Sequence, residues 1–142
     1  MPYRLQMTVT LPTDADEWAA AWRDRINDRA EFADAAAEFT ATFCFEIRDD
    51  DAYVGDPVQF RVDIEDGVCT HAATDDDPDY DYALRGPYGE WVSMLRGDLD
   101  VSAAAMDGTF TIEGDTMTLL RRQDTIAQMV AAAQNVETEF EY

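Results

Sequence analysis

Strict alternation of apolar and polar side chains predicts β-strands in the middle of the chain. The segments TATFCFEIR and VQFRVDIE both alternate, so every second residue faces the same side of a sheet. The residues predicted to face the core are Ala41, Phe43, Phe45, Ile47, Val58, Phe60, Val62 and Ile64. Asp66 and Gly67 then form a two-residue hairpin signal before a returning strand, VCTHAAT.

Two further strands complete a predicted five-stranded sheet. The segment YDYALR places Tyr80, Tyr82 and Leu84 on one side, and TFTIE points Phe110 and Ile112 inward. The tail VETEFEY also alternates, and we interpret it as an edge strand or a flap in which Val136, Thr138, Phe140 and Tyr142 share one side.

Apolar residues three and four positions apart predict helices at both ends of the chain. Trp18, Trp22 and Ile26 form one aromatic face after a capping signal at Asp14, and the alanine-rich segment RAEFADAAAEF follows as a second helix or as a bend of the first. Near the C-terminus, YGEWVSML and VSAAAM predict two short helices. A long helix, 115–135 with a break near Asp124, follows the last strand.

This order of elements predicts one domain of α+β class over residues 1–142. A mainly antiparallel sheet with helices packed on one face is the expected architecture, since each helix has one apolar stripe to bury. The segment MPYRLQMTVT lacks the features of a secretory signal, and no apolar run approaches the ~18 residues that span a bilayer. We therefore expect a cytoplasmic protein without stable membrane insertion.

The chain is strongly acidic. It carries 31 acidic and 10 basic residues, all of the latter arginine, for a net charge of -21. Such carboxylates repel one another in dilute buffer, whereas molar salt shortens the Debye length to ~3 Å. We interpret the composition as salt adaptation, typical of a haloarchaeal protein. An acidic surface that binds cations or basic partners is the alternative, but the acids are spread along the whole chain. Nucleic acid is not an expected partner, because the arginines are scattered among acids.

No catalytic, metal or cofactor motif stands out. Cys44 and Cys69 are isolated, and the sole histidine, His71, lies on a strand at the parity opposite Val68, Thr70 and Ala72. The runs Asp49-Asp50-Asp51 and Asp75-Asp76-Asp77 lack the spacing of a calcium loop and are interpreted as solvated loops. We predict no catalytic residue, no metal and no cofactor.

The region from Tyr82 to Leu120 resembles one known family. A strand ending in YALRG, the helix YGEWVSMLRG, the small-residue helix DVSAAAMDG and the strand TFTIEGD are similar to the hallmark region of the sterol carrier protein type 2 family. The resemblance implies an α+β domain whose helices and sheet enclose an apolar tunnel, with an expected volume of roughly 300 to 1,000 Å³. It also implies a fatty acid, acyl-CoA, isoprenoid or sterol-like ligand.

Candidate tunnel residues follow from this resemblance and from the amphipathic helices. They are Trp91, Leu95, Met106, Met117, Leu120, Met129, Phe43 and Phe60. Each of them alone also fits ordinary core packing. The adjacent Arg121 and Arg122 are candidate head-group ligands, with ion pairing to nearby acids as the alternative.

Three functional hypotheses are open at this point. The leading one is non-enzymatic binding or transfer of a lipid, with release by local opening of the last helix or the tail. The second is an interaction module with a collapsed pocket that associates with a lipid-metabolising enzyme. The third is hydrolysis of a lipid thioester or ester, which requires a reactive group aimed into an apolar cavity.

The charge pattern generates a prediction about stability. The melting temperature should rise as potassium or sodium chloride increases from dilute to molar concentration, because screening relieves repulsion among 31 acids. Thermal unfolding followed by circular dichroism across a salt series measures it. A melting temperature that stays flat or falls would contradict the interpretation of salt adaptation.

Overall fold

The computed structural model describes residues 9–11, 13–76 and 78–140. The strands in this part of the chain are β1 (Val9–Leu11), β2 (Ala41–Arg48), β3 (Val58–Glu65), β4 (Val68–Thr74), β5 (Tyr82–Pro87), β6 (Thr111–Glu113) and β7 (Thr138–Phe140). The helices are α1 (Ala15–Asn27), α2 (Ala30–Ala35), α3 (Tyr88–Leu95), α4 (Val101–Met106), α5 (Thr116–Arg121) and α6 (Gln123–Gln134). No helix of the described residues is long and apolar enough to cross a membrane.

A five-stranded sheet in the order β4-β3-β2-β5-β6 organises the fold. The central pair β2 and β5 is parallel, and the other neighbours are antiparallel, so the sheet is mainly antiparallel as the sequence predicts. Phe43 lies opposite Val62 and Phe45 opposite Phe60, and all four side chains are buried. With Ile64, which is also buried, they form the predicted inner face, where cross-strand pairs of large side chains stabilise the sheet.

Tyr80, predicted to share one side of a strand with Tyr82 and Leu84, and Ile112, predicted to face inward, are both placed differently. Tyr80 precedes β5, is partly exposed, and donates a hydrogen bond from its hydroxyl to Glu113 at 2.9 Å. Ile112 pairs with Leu84 but lies on the edge strand β6, so its side chain is partly exposed. An edge strand has a neighbour on one side only, which explains why alternation overestimates burial there.

The helices pack against one face of the sheet through aromatic contacts. The rings of Trp18 and Trp22 on α1 lie 5.7 Å from Phe60 and 5.1 Å from Phe45, centroid to centroid. The opening helical segment is two helices, since Arg29 between them is extended. The last helix breaks at Arg122, two residues before the predicted position at Asp124, and so forms α5 and α6.

The tail forms a strand. β7 pairs with β1 in parallel, with Val9 opposite Thr138 and Leu11 opposite Phe140. This small second sheet joins the two ends of the described chain. The prediction that Tyr142 shares the same face lies outside the described residues.

The turn before α5 generates a prediction about stability. Gly114 has φ +116°, and a side chain there would overlap the carbonyl oxygen of Asp81 and the ring of Tyr82. Gly114→Ala should therefore lower the free energy of unfolding by about 3 kcal/mol, since both backbone strain and overlap contribute. Chemical denaturation measures it.

A second glycine provides the matched control. Gly97 has φ +84°, and a side chain added to it would meet no atom within 4 Å. Gly97→Ala should cost only about 1 kcal/mol, from the left-handed conformation alone. Equal losses in the two variants would show that Asp81 and Tyr82 do not pack tightly against the turn at Gly114.

Candidate functional site

A small cavity lies between the helices and the inner face of the sheet. Side chains from β1, α1, β2, β3, β5, α3 and α6 line it: Leu11, Trp18, Trp22, Phe45, Ile47, Phe60, Leu84, Trp91, Met94, Leu95, Ile126, Met129, Val130 and Ala133. Its volume is about 20 Å³. That is room for about one water molecule, but an apolar cavity offers water no partner.

Tryptophan rings form much of the cavity wall while their polar atoms face away into the protein. Trp18 Nε1 donates to Thr138 Oγ1 at 2.9 Å, and Trp22 Nε1 donates to the carbonyl of Met129 at 2.9 Å. Trp91 Nε1 donates to the carbonyls of Glu46 and Gly86 at 2.8 and 3.1 Å. Each indole N–H is therefore paired, and the wall presents apolar ring surface to the interior.

Helix α6 forms part of the cavity wall and is held in place by several side-chain hydrogen bonds. Thr125 Oγ1 donates to the carbonyl of Ala35 at 3.0 Å. Arg29 Nε and Nη2 both donate to Gln128 Oε1, at 3.0 and 2.8 Å. At the other end, Gln134 Nε2 donates to the carbonyl of Met94 at 2.9 Å. Together with the tryptophan bond to the carbonyl of Met129, these tethers hold α6 against α1, α2 and α3.

The structure brings half of the predicted tunnel residues together. Trp91, Leu95, Met129 and Phe60 all line the cavity. Phe43 is buried on the same face of the sheet, stacked on Phe45 at 5.7 Å, but does not line the cavity.

The other three candidates lie at the surface. Met106, Met117 and Leu120 are 90%, 61% and 56% exposed and are not cavity-lining residues. The break at Arg122 explains the exposure of Met117 and Leu120, because the apolar stripe of α5 does not continue onto the inner face of α6. Contact of any of the eight candidates with a ligand stays a prediction.

The predicted arginine pair is divided by the same break. Arg122 is half-buried, and its guanidinium lies 4.6 Å from the ring centroid of Phe39 in a cation–π contact. Arg121 is exposed in the last turn of α5. Of the two, Arg121 is therefore the better placed for contact with a molecule outside the protein.

The expected volume of 300 to 1,000 Å³ is not present in this conformation. The bulky side chains of the wall, three of them tryptophans, fill the space between α6 and the sheet. Because the interior is packed to this degree, a chain-like ligand requires displacement of part of the wall.

Several lining residues escaped the sequence prediction although signals for some were present. Trp18, Trp22 and Phe45 belong to the apolar faces that periodicity identified. Leu11 and Met94 carried no such signal, because β1 is three residues long and Met94 lies beside the predicted stripe of α3.

A polar cluster occupies the opposite face of the sheet. Glu46 accepts from Arg48 Nε and Gln59 Nε2, both at 2.9 Å, and Arg85 Nε donates to Glu113 at 2.6 Å. Burial acts to raise the pKa of Glu46, but these hydrogen bonds and the charge of Arg85 outweigh it and hold the pKa below its usual range. The cluster is charged, internally paired and separated from the cavity by the sheet.

One residue of the predicted solvated loops has a structural role. Both side-chain oxygens of Asp50 accept backbone N–H groups, one from Ala52 and Tyr53 and the other from Gly89 at the start of α3. The bond from Gly89 contributes most to holding the pKa of Asp50 below its usual range. Asp50 thus joins the loop after β2 to the helix that carries Trp91.

The remaining reactive side chains do not face the cavity. Burial raises the pKa of the Cys69 thiol to about 11 and also raises that of Cys44, so both thiols are poor nucleophiles at neutral pH. His71 is exposed on β4. Among residues 9–11, 13–76 and 78–140, no three His, Cys, Asp or Glu side chains form a group that could hold a metal ion.

Comparison with solved structures shows which fold this is. A crystal structure of sterol carrier protein 2 superposes with a TM-score of 0.79 at 22% identity, covering 85% of this chain and 96% of its own. A solution structure of a conserved hypothetical protein from Thermus thermophilus, described as a suspected sterol carrier protein, gives 0.77 at 21% identity, covering 87% of this chain and 88% of its own. Sterol carrier protein 2 like 2 from Aedes aegypti gives 0.54 at 13% identity, covering 81% and 92%.

Sequence comparison agrees with the fold. No curated protein matches the chain significantly. The profile of the SCP-2 sterol transfer family, however, matches residues 20–127, a span from α1 to α6 that includes most of the cavity wall. The chain belongs to the SCP-2 sterol transfer family.

Proposed function

We propose that this protein binds or transfers a lipid in the interior without converting it. The observation that carries the proposal is the cavity between α6 and the sheet, which is lined by apolar and aromatic side chains. The family's description as sterol transfer proteins supports the same function. The ligand class is a fatty acid, acyl-CoA, isoprenoid or sterol-like molecule, since each presents a long apolar surface to such a wall.

Displacement of α6 makes room for the ligand. Ile126, Met129 and Val130 on this helix face the cavity, and their helix is joined to its neighbours by side-chain tethers rather than by a continuous sheet ladder. A single such hydrogen bond contributes about 0.5–1.5 kcal/mol to the closed position. Displacement of α6 also uncovers Met129, Ala132 and Ala133, which are buried in the core, and the apolar surface of a bound ligand replaces the contacts that these side chains lose.

Hydrophobic burial supplies the driving force. Each buried methylene contributes about 0.8 kcal/mol, so ten methylenes contribute about 8 kcal/mol before the costs of ordering and opening are subtracted. The protein contains no lysine. A charged anchor for the head group is not required by this balance of energies.

The first prediction concerns filling the cavity. Val130 lines the cavity and is half-buried, so Val130→Trp places an indole in the space that a ligand needs. It should weaken binding of a fluorescent fatty acid roughly 5- to 150-fold, since forcing the two together costs about 1–3 kcal/mol. Titration in molar salt measures it, and circular dichroism checks that the variant folds.

A matched variant on the same helix controls for the added indole. Ala127 is exposed on α6 and does not line the cavity, so Ala127→Trp should leave the affinity for the soluble probe within about twofold. If the two variants weaken binding equally, the ligand does not occupy this cavity.

The second prediction concerns opening. Arg29→Ala removes both hydrogen bonds to Gln128 and should raise the association rate of the probe roughly fivefold, because about 1 kcal/mol less holds α6 closed. Stopped-flow fluorescence measures the rate. Arg25→Ala, an exposed arginine in the last turn of α1, is the control and should leave the rate unchanged.

The same titrations separate the other hypotheses. Absence of saturable binding across acyl, isoprenoid and sterol probes would overturn the proposal in favour of an interaction module that associates with another protein. Steady release of product from a thioester probe would instead indicate a hydrolase. Binding without turnover supports the carrier.

A further inference from the structure

Acidic residues are unevenly distributed along the chain. Residues 116–136 contain one acid, Asp124, and two arginines, whereas 31 of the 142 residues of the whole chain are acidic. This segment comprises α5, α6 and the turn after them. Its outer surface, exposed at Ala127, Gln134 and Asn135, is therefore far less negative than the rest of the molecule.

The outward face of α5 is apolar and cationic. Met117, Leu120 and Arg121 are exposed and follow the spacing i, i+3, i+4, so they share one side of the helix. The ion pairs found among the described residues involve other arginines, while Arg121 interacts electrostatically with Asp115, the N-cap of its own helix. Because Met117 and Leu120 are exposed, they contribute little to the protein core, and an exposed apolar patch is typical of a contact surface.

Two other exposed apolar residues show what is particular about this face. Val54 is 82% and Val68 is 49% exposed, but each lies in an acidic neighbourhood: Val54 between Asp51 and Asp56, and Val68 just after Glu65 and Asp66. Docking there would bring carboxylates out of water together with the valine, at a considerable free-energy cost. Asp115 also lies just before α5, but its carboxylate already accepts hydrogen bonds from the backbone N–H groups of Met117 and Thr118, and residues 116–123 contain no acid, so docking on α5 costs less.

We propose that the outward face of α5 and the adjoining outer side of α6 form the surface that contacts a lipid bilayer. A bilayer interface offers acyl carbon for Met117 and Leu120 and phosphate oxygens for Arg121 within a few ångströms of depth. The surface around them brings few carboxylates against the phosphates, because Asp124 is the one acid in the sequence of residues 116–136 and the carboxylate of Asp115 is held as the N-cap of α5.

The placement of α6 connects this surface to the cavity. Its inner side lines the cavity through Ile126, Met129 and Val130, and its outer side belongs to the proposed contact surface. The helix thus lies between a docked bilayer and the interior of the cavity. This inference rests on the proposed function, since it places the movable wall where a lipid leaves or enters the membrane.

Vesicle flotation tests the surface directly. The full chain is mixed with vesicles of two parts phosphatidylcholine and one part phosphatidylglycerol in about 2 M KCl, where repulsion among carboxylates is screened. The double variant Met117→Asp/Leu120→Asp should reduce the vesicle-bound fraction about tenfold, because carboxylates resist insertion. Val54→Asp/Val68→Asp adds the same charge and removes two exposed apolar side chains elsewhere, and should bind as the wild type does.

Each further outcome has a distinct meaning. Equal loss in the two double variants would overturn the proposed surface and indicate a general effect of charge. Wild-type protein that binds the fluorescent fatty acid but does not float with vesicles would overturn the bilayer contact and leave the proposed function intact. Wild-type protein that neither binds the fluorescent fatty acid nor floats with vesicles would overturn the proposed function as well as the bilayer contact. A wild-type dimer that becomes a monomer in Met117→Asp/Leu120→Asp would identify the face as a contact between copies instead.

Discussion

Burial of three indole N–H groups is the constraint on which the rest of the structure depends. An unpaired buried donor costs about 1–3 kcal/mol, so each indole must find an acceptor inside the protein. The acceptors lie on separate elements: Thr138 on β7, Met129 on α6, and the carbonyls at Glu46 and Gly86 on the two central strands. Meeting all three requirements at once fixes α1 against the C-terminal helix and strand, and α3 against the sheet. The cavity lies where these rings converge, so its size depends on the same bonds.

Periodicity predicted the sheet and most of the helices because the apolar faces that it identifies are the faces that tertiary packing buries. Phe45 and Phe60 face the core as their alternation requires, and α6 buries the stripe that contains Met129. The assignment of Met117 and Leu120 shows where the signal ends. Their spacing matches that of a core stripe, but the break at Arg122, which packs on Phe39, turns α5 away from the interior. The aromatic partner in that contact lies far away in the sequence, where no local pattern reports it.

Strand β4 gives a second case, at the level of register. Alternation grouped Val68, Thr70 and Ala72 on one side, yet Ala72 is buried with Cys69 while Val68 and Thr70 are exposed. The pairing with β3 shifts between Asp63 and Ile64, so one extra residue enters β4 and the parity changes. A bulge of this kind depends on the partner strand. The same limit applies to the cavity: the sequence indicated apolar helices in sufficient number, but the volume left between them depends on how their side chains interlock.

The parallel pairing of β1 with β7 has a mechanical consequence. Residue 9 begins β1 and residue 140 ends β7, so in this parallel pair the two residues lie at opposite ends of the ladder. A pull on them therefore loads the backbone hydrogen bonds in shear, all together, rather than opening them one after another. Leu11 of β1 lines the cavity, and Thr138 of β7 accepts the hydrogen bond from Trp18. Tension applied at these two points is therefore transmitted to the cavity wall before it reaches the five-stranded sheet.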